Sequence, residues 1–151
     1  MKNSIRRLIS YLYSFLGAFL NNEDCRVLMY HSIQELSDSM WTTEYQNFQD
    51  HVHYVHNDKK KYFCSCEELI ADSPKHSIAL TFDDGYEDNF HLVSPLLLSL
   101  NIPFCIFVIT DYIKFSKEGY MDEKMVIELS RNPLITIGSH TKSHPRLVEC
   151  T

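Results

Sequence analysis

Two adjacent carboxylates, Asp83 and Asp84, close the short apolar run Ile78-Ala79-Leu80-Thr81-Phe82 and are followed at once by Gly85. Such a run reads as a buried strand stopped by a turn. Like charges side by side repel unless something cationic is near. The bland account is a solvated strand-end turn, since Asp-Gly is a common turn pair. Chemistry at this point needs partners for the acids, and His140-Thr141-Lys142-Ser143-His144 supplies two imidazoles four residues apart. One helical turn would put both rings on the same face, and Pro145 favours a single turn or tight loop over a longer helix. Two imidazoles and a carboxylate form a three-ligand set with open positions, which suits a catalytic divalent ion better than a structural one. A cation there would also hold both acids as carboxylates. His31 ends another apolar stretch, Arg26-Val27-Leu28-Met29-Tyr30.

The elements that must position these groups follow from the chain's periodicity. Strands are predicted at 26–31, 78–82, 104–109 and 134–138, the third apolar on both faces, as in a covered parallel sheet. Thr43-Glu44-Tyr45-Gln46 has capping-box form and opens a helix with Phe48, Val52 and Val55 on one face. Ser65-Cys66-Glu67-Glu68 repeats the pattern and places Cys66 in a first helical turn, so the Cys64-x-Cys66 pair marks helix entry rather than a metal site. Asp88 and Asn89 start a helix with its body at 92–100, broken at Ser94-Pro95 and stopped by Asn101-Ile102-Pro103. A last helix is expected from Asp122 to Ser130. Strand and helix alternate throughout, the pattern of an α/β fold with parallel neighbours. Three of the four strands end in His31, in Asp83 with Asp84, and in His140 with His144 just after. Active sites of parallel α/β folds gather at that end. Singly each residue is an ordinary strand-end group; their common placement is what points to a site.

Bulk properties narrow the classes. With 151 residues, 44% hydrophobic and 23% charged, the chain has the make-up of one globular domain. Its formal charge of −6 and a single three-lysine run, Lys59-Lys60-Lys61, argue against a nucleic-acid partner. Five cysteines, an odd number without framework spacing, lean towards a reducing compartment, and Cys105 reads as a small hydrophobe. Lys2, Arg6 and Arg7 precede a largely apolar segment whose large residues, among them Ile5, Leu8, Leu12, Phe15 and Phe19, fall at helical spacing. No small-x-small cleavage site follows, and the stretch is short for a membrane span. An amphipathic helix within residues 1–22 is therefore expected, lying on a membrane surface through residues 5–20 or packing on protein. The corresponding location is cytoplasmic at the membrane surface; the alternative is export with an uncleaved or atypical signal.

Thr81-Phe82-Asp83-Asp84-Gly85-Tyr86 and Ser139-His140-Thr141-Lys142-Ser143-His144-Pro145 together resemble the two central motifs of the polysaccharide deacetylases with a NodB-homology domain, also called carbohydrate esterase family 4. Val27-Leu28-Met29-Tyr30-His31-Ser32-Ile33 resembles the opening strand of one branch of that family. The resemblance covers about residues 26–148. It implies a partial (β/α) barrel of the NodB type, with about four parallel strands in a domain of residues 26–151. It implies metal-dependent hydrolysis of N-acetyl groups on a hexosamine-containing glycan, releasing acetate. Asp84, His140 and His144 match the metal ligands, for Zn first and Co or Ni as alternatives. Asp83 matches the base that takes a proton from the attacking water. Many members use a distant downstream His as the acid; in the branch with the early Tyr-His strand, His31 is the matching residue. The family normally continues past the second motif with further strands, whereas Pro145 to Thr151 are all that follow here. That departure leads to the expectation of an incomplete barrel and of a complementing C-terminal fragment as partner. The rival reading is a remnant that binds metal or sugar without turnover. Tyr86 and Trp41 are candidates for stacking on sugar rings, and equally for core or loop roles.

A different metal-hydrolase pattern, H-x-H-x-D-H, is approached by His51-Val52-His53-Tyr54-Val55-His56. Val55 stands where the acid belongs, and the stretch falls in a capped helix rather than after a strand. Three solvent-facing histidines are the better account.

Overall fold

A computed structural model describes residues 25–36 and 39–150. The expected helix within residues 1–22 lies outside them, and no helix among the described residues is long and apolar enough to cross a membrane. Four parallel strands form the main sheet: β1 (Arg26–Tyr30), β5 (Ser77–Phe82), β6 (Phe104–Val108) and β7 (Ile135–Ser139), in that spatial order. The two-residue strand β4 (Tyr62–Phe63) adds to the start of β5, and β2 (Ser32–Gln34) pairs with β3 (Thr42–Glu44) in a small separate ladder. Among the described residues, five α-helices connect them: α1 (Tyr45–His56), α2 (Cys66–Asp72), α3 (Ser94–Ser99), α4 (Thr110–Lys114) and α5 (Glu123–Ser130).

Every residue of β5 is buried, which places this strand at the centre of the sheet. Alternation along parallel strands sorts their side chains into two faces. Leu28, Leu80, Phe104 and Ile135 form one register row and Tyr30, Phe82, Ile106 and Ile137 a second on the same face. That face meets Phe48 and Val52 of α1, Leu97 of α3 and Leu129 of α5 in one apolar core. Phe82 is fully buried there, with ring centroids 5.6 Å from Tyr30 and 5.8 Å from both Phe48 and Phe104. The opposite face carries smaller and more polar groups, Thr81, Cys105 and Thr136 in one row, with Met29 at its exposed end. All five cysteines are free, and Cys105 is buried as expected of a small hydrophobe.

Local signals succeeded and failed for identifiable reasons. Ser65 and Glu68 make the expected reciprocal capping box at α2, and Asp122 caps α5 by accepting from the Met125 backbone N–H at 2.9 Å. The capping box expected at Thr43 does not form. Thr43 is paired with Ile33 in the β2–β3 ladder, so the helix begins one residue later behind Glu44, which makes no side-chain cap bond. The break at Ser94-Pro95 takes another form than an N-cap. A π-helical turn, Asn89–Val93, runs straight into α3, and the Ser94 hydroxyl donates to the Phe90 carbonyl at 2.8 Å. Pro95 has no N–H to continue the ladder, so the turn widens there. Strands β2, β3 and β4 were not expected; at two or three residues each they are too short for periodicity to register.

The core assignment is testable by truncation. Phe82→Ala should lower the unfolding free energy in urea by about 3–5 kcal/mol. Phe115→Ala, at a residue 68% exposed, should change it by less than about 0.5 kcal/mol.

Candidate metal centre

The ladder carries on past the end of β5 by one bond, from the Asp83 N–H to the Tyr30 carbonyl at 2.8 Å. The backbone then reverses through two left-handed residues, Asp84 at φ 72° and Gly85 at φ 75°. Aspartate tolerates that region better than most side chains. Gly85 is required twice over, by its φ and because a Cβ there would stand 3.0 Å from Val108 Cγ1. A parallel arrangement governs the second motif. The His140 N–H donates to the Val108 carbonyl at 2.8 Å, prolonging the β6–β7 ladder past Ser139. Thr141 and His144 then adopt left-handed backbone at φ 69° and 56°, so residues 140–144 form a tight loop rather than a helical turn. The Thr141 hydroxyl accepts from the His144 N–H at 3.0 Å. Backbone bonds from Thr110 to Thr141 and from Asp111 to Lys142 fasten the loop to the start of α4.

These two loops bring Asp84, His140 and His144 together. Asp84 Oδ1 lies 3.4 Å from His140 Nε2 and 3.5 Å from His144 Nε2, and the three ligand atoms fall within 4.8 Å of one another. Zinc–nitrogen and zinc–oxygen bonds of about 2.0–2.2 Å in a tetrahedral shell put neighbouring ligand atoms roughly 3.3–3.6 Å apart. The two measured separations match that spacing. Asp84 Oδ1 is moreover buried without a hydrogen-bond partner, and an uncompensated buried carboxylate oxygen is costly. Two nitrogens and one oxygen form a donor set suited to a divalent ion of the zinc class. The residues present therefore fit such an ion. His144, half exposed, leaves the cluster open to solvent on its side.

Asp83 and His31 each stand one position past the register pair Tyr30–Phe82, so they are neighbours across β1 and β5 at the same sheet end as the triad. Both are half-buried. The His31 ring packs against Trp41 with centroids 5.0 Å apart, and its carbonyl accepts from Asn89 Nδ2 at 3.1 Å. The rival histidines remain apart: His51, His53 and His56 lie exposed along α1, and the Tyr30 hydroxyl is 3.1 Å from His51 Nδ1.

Two features beside the site escaped the sequence. The Asp88 carboxylate accepts from the Ser32 hydroxyl at 2.6 Å and from Asn89 Nδ2 at 2.8 Å, tying β2 to the residues after the acidic motif. Asp88 reads in sequence as a helix start; its true partner is 56 residues away. Burial pushes its carboxyl above the ordinary aspartate range, opposed by the bonds from Ser32 and the Ile33 backbone. The second feature is an aromatic stack of Tyr86 on Tyr120, with centroids 4.6 Å apart. Nothing local in the 118–120 loop announces it. Burial, then the bond to Tyr86, pushes the Tyr120 phenol up to about 12.

Above the ordinary value of ~3.9, and up to its raised folded value, Asp88 holds more proton in the folded than in the unfolded chain. Its contribution to stability therefore falls as pH rises through that window. Asp88→Asn should remove this component, so the urea stability of the metal-free variant should decline less than that of the parent as pH rises above about 4. Identical pH slopes would count against the raised carboxyl.

Comparison with known proteins agrees with this geometry. A family model described as polysaccharide deacetylase matches residues 70–151. A curated relative, "Putative polysaccharide deacetylase YxkH" of Bacillus subtilis (strain 168), is 29% identical over 126 residues, which cover 80% of this chain and 43% of that protein. Among solved structures, the Streptococcus pyogenes deacetylase PplD in complex with acetate superposes with a TM-score of 0.74 at 22% identity, covering 85% of this chain and 61% of that one. BC0361, a polysaccharide deacetylase from Bacillus cereus, gives a TM-score of 0.72 at 22% identity, over 85% of this chain and 42% of that one. The chain thus spans less than half the length of the curated relative, and its parallel strands correspond to part of the fold of the structural neighbours.

Proposed function

The chain belongs to the polysaccharide deacetylase family, and on that footing we propose that it hydrolyses N-acetyl groups of a hexosamine-containing glycan with the help of a divalent ion. The observation that carries the metal dependence is the buried, unpartnered Asp84 Oδ1 set between two imidazole nitrogens at 3.4 and 3.5 Å. Asp84, His140 and His144 would hold the ion, Zn²⁺ first and Co²⁺ or Ni²⁺ on the same donors. When bound, the ion would supply Lewis-acid polarisation of the acetyl carbonyl and would acidify a nearby water.

The remaining steps fall to the chain's own side chains. Asp83, fixed by its backbone bond to Tyr30, takes the proton of the attacking water. The water oxygen bonds to the carbonyl carbon, the C–N bond breaks, and the nitrogen must gain a proton to leave as an amine. His31, its neighbour across the strands, delivers that proton. The products are acetate and a free hexosamine amine. The position of both residues at the sheet end that carries the triad supports the assignment.

Acetate release from N-acetylglucosamine oligomers by the metal-loaded chain tests the whole reading. Turnover should vanish on chelation and return with Zn²⁺, Co²⁺ or Ni²⁺. Asp83→Asn should lower kcat by about 10²–10⁴ while metal uptake, followed by a competing chromophoric chelator, stays unchanged. Asp84→Asn and His140→Ala should weaken that uptake. A His31→Ala protein with full metal and full turnover would remove His31 from the mechanism. Metal and glycan binding with no acetate release would favour a binding protein over an enzyme.

A further inference from the structure

His31 occupies a break in the sheet. β1 ends at Tyr30 and β2 begins at Ser32, so residue 31 belongs to neither ladder. β1 also stands at the edge of the main sheet, beside β5. What holds residue 31 comes from the segment that follows the acidic motif. Asn89 is fully buried, and its Nδ2 donates to the His31 carbonyl at 3.1 Å and to Asp88 Oδ1 at 2.8 Å. The amide oxygen is buried too and meets no donor. Turning the amide over would set that oxygen against two acceptors, so His31 and Asp88 dictate its orientation. The Asp88 carboxylate takes the residues that come next, through the Ser32 hydroxyl at 2.6 Å and the Ile33 backbone N–H. The Ser32 N–H donates to the Trp41 carbonyl at 3.3 Å, and the Trp41 ring packs on that of His31 with centroids 5.0 Å apart.

We propose that Asp88 and Asn89 are positioning residues, which hold residues 31–33 so that the His31 imidazole rests on Trp41 at the sheet end that carries the triad. The inference rests on the deacetylase reading above and on His31 as the proton donor within it. The Asp83 N–H holds the Tyr30 carbonyl at 2.8 Å, and further along the same segment Asn89 holds the next carbonyl, that of His31. Segment 83–89 thus carries the proposed base and one metal ligand, and reaches back to place the proposed acid. One piece of chain sets the spacing of acid and base, rather than loops that move independently. Proton delivery depends steeply on such placement. A purely stabilising role accounts for the pair less well, because burying an amide whose oxygen stays unpaired costs stability. Its two donated bonds are what an apolar side chain of similar size could not supply.

Trp41 is the only tryptophan in the chain, so nuclear Overhauser contacts between its indole protons and the His31 imidazole report the placement without turnover. The full, zinc-loaded chain should show these contacts and Asn89→Leu should lose them. Leu129→Ala, a core truncation on α5, should keep them although it too destabilises the fold. In acetate release from N-acetylglucosamine oligomers, Asn89→Leu should lower kcat by about 10²-fold, the scale of a reacting group misplaced by roughly 1 Å. KM and metal uptake should stay unchanged. In a His31→Ala background the same substitution should cost nothing further, since the two residues act as a unit. Equal losses in both backgrounds, full turnover by His31→Ala, or contacts that persist in Asn89→Leu would overturn the proposal. If Asn89→Leu does not fold, Ser32→Ala takes its place under the same criteria; it removes only the hydroxyl held by Asp88, and its smaller loss should again be confined to the chain that retains His31. If the parent releases no acetate, the deacetylase reading fails, and the indole–imidazole contacts alone decide the positioning.

Discussion

One carboxylate oxygen sets the terms for the functional end of this molecule. Asp84 Oδ1 is buried, lacks a hydrogen-bond donor, and faces two imidazole nitrogens at 3.4 and 3.5 Å. An uncompensated buried carboxylate oxygen is costly. A divalent ion, as proposed above, would resolve the cost and use all three side chains at once. The backbone around the oxygen is built to hold it there. Asp84 is left-handed at φ 72°, Gly85 admits the close approach of Val108, and left-handed backbone at Thr141 and His144 folds the second loop. Left-handed residues other than glycine cost on the order of 1–2 kcal/mol each, so the sheet must carry that strain.

It does so through register. Asp83 and His140 are each placed by one ladder bond beyond the last residue of a strand, to the carbonyls of Tyr30 and Val108. The rows that end in these bonds are packed from one side by Phe82, Phe48 and Phe104, a cluster with little freedom to slip. A shift by one residue would turn every side chain in the strand to the other face. It would drive Phe82 and Leu80 into the opposite, equally buried face that now holds the smaller Ala79 and Thr81, and dismantle the site in the same movement. Stability and site geometry are therefore set by the same contacts.

The sequence disclosed those parts whose signals are local or periodic. The main strands, the α2 capping box and the exposed histidines of α1 could be read from residue types and spacing, and the grouping of Asp84 with His140 and His144 from the resemblance of two motifs to a known family. What escaped depends on long-range pairing. Thr43 was drawn from a helix cap into a ladder with Ile33, and Asp88 found its partner in Ser32 across 56 residues. Tyr120 joined the metal loop by stacking on Tyr86, although its own loop carries no motif. The π-helical turn before Pro95 shows the same limit on a smaller scale. The break was legible from proline, but its form depended on the hydroxyl of Ser94 reaching back to Phe90.

The two adjacent acids illustrate how the fold separates residues that composition cannot. Asp83 still belongs to the sheet: its N–H completes the ladder with β1, so its place is set by the extended strand. Asp84 belongs to the turn, where left-handed backbone takes the chain out of strand geometry and towards the His140–His144 loop. A carboxylate pair on one regular strand would point to opposite faces, and a pair on one turn would compete for the same cation. Placing the boundary between strand and turn at the bond between them gives each acid its own surroundings. One is left half-buried at the strand end, as the proposed proton transfer requires, and the other has its Oδ1 buried against two imidazoles, as the proposed ion requires. That division follows from the reversal at Asp84 and Gly85, which is why the glycine is as integral to the site as the carboxylates it follows.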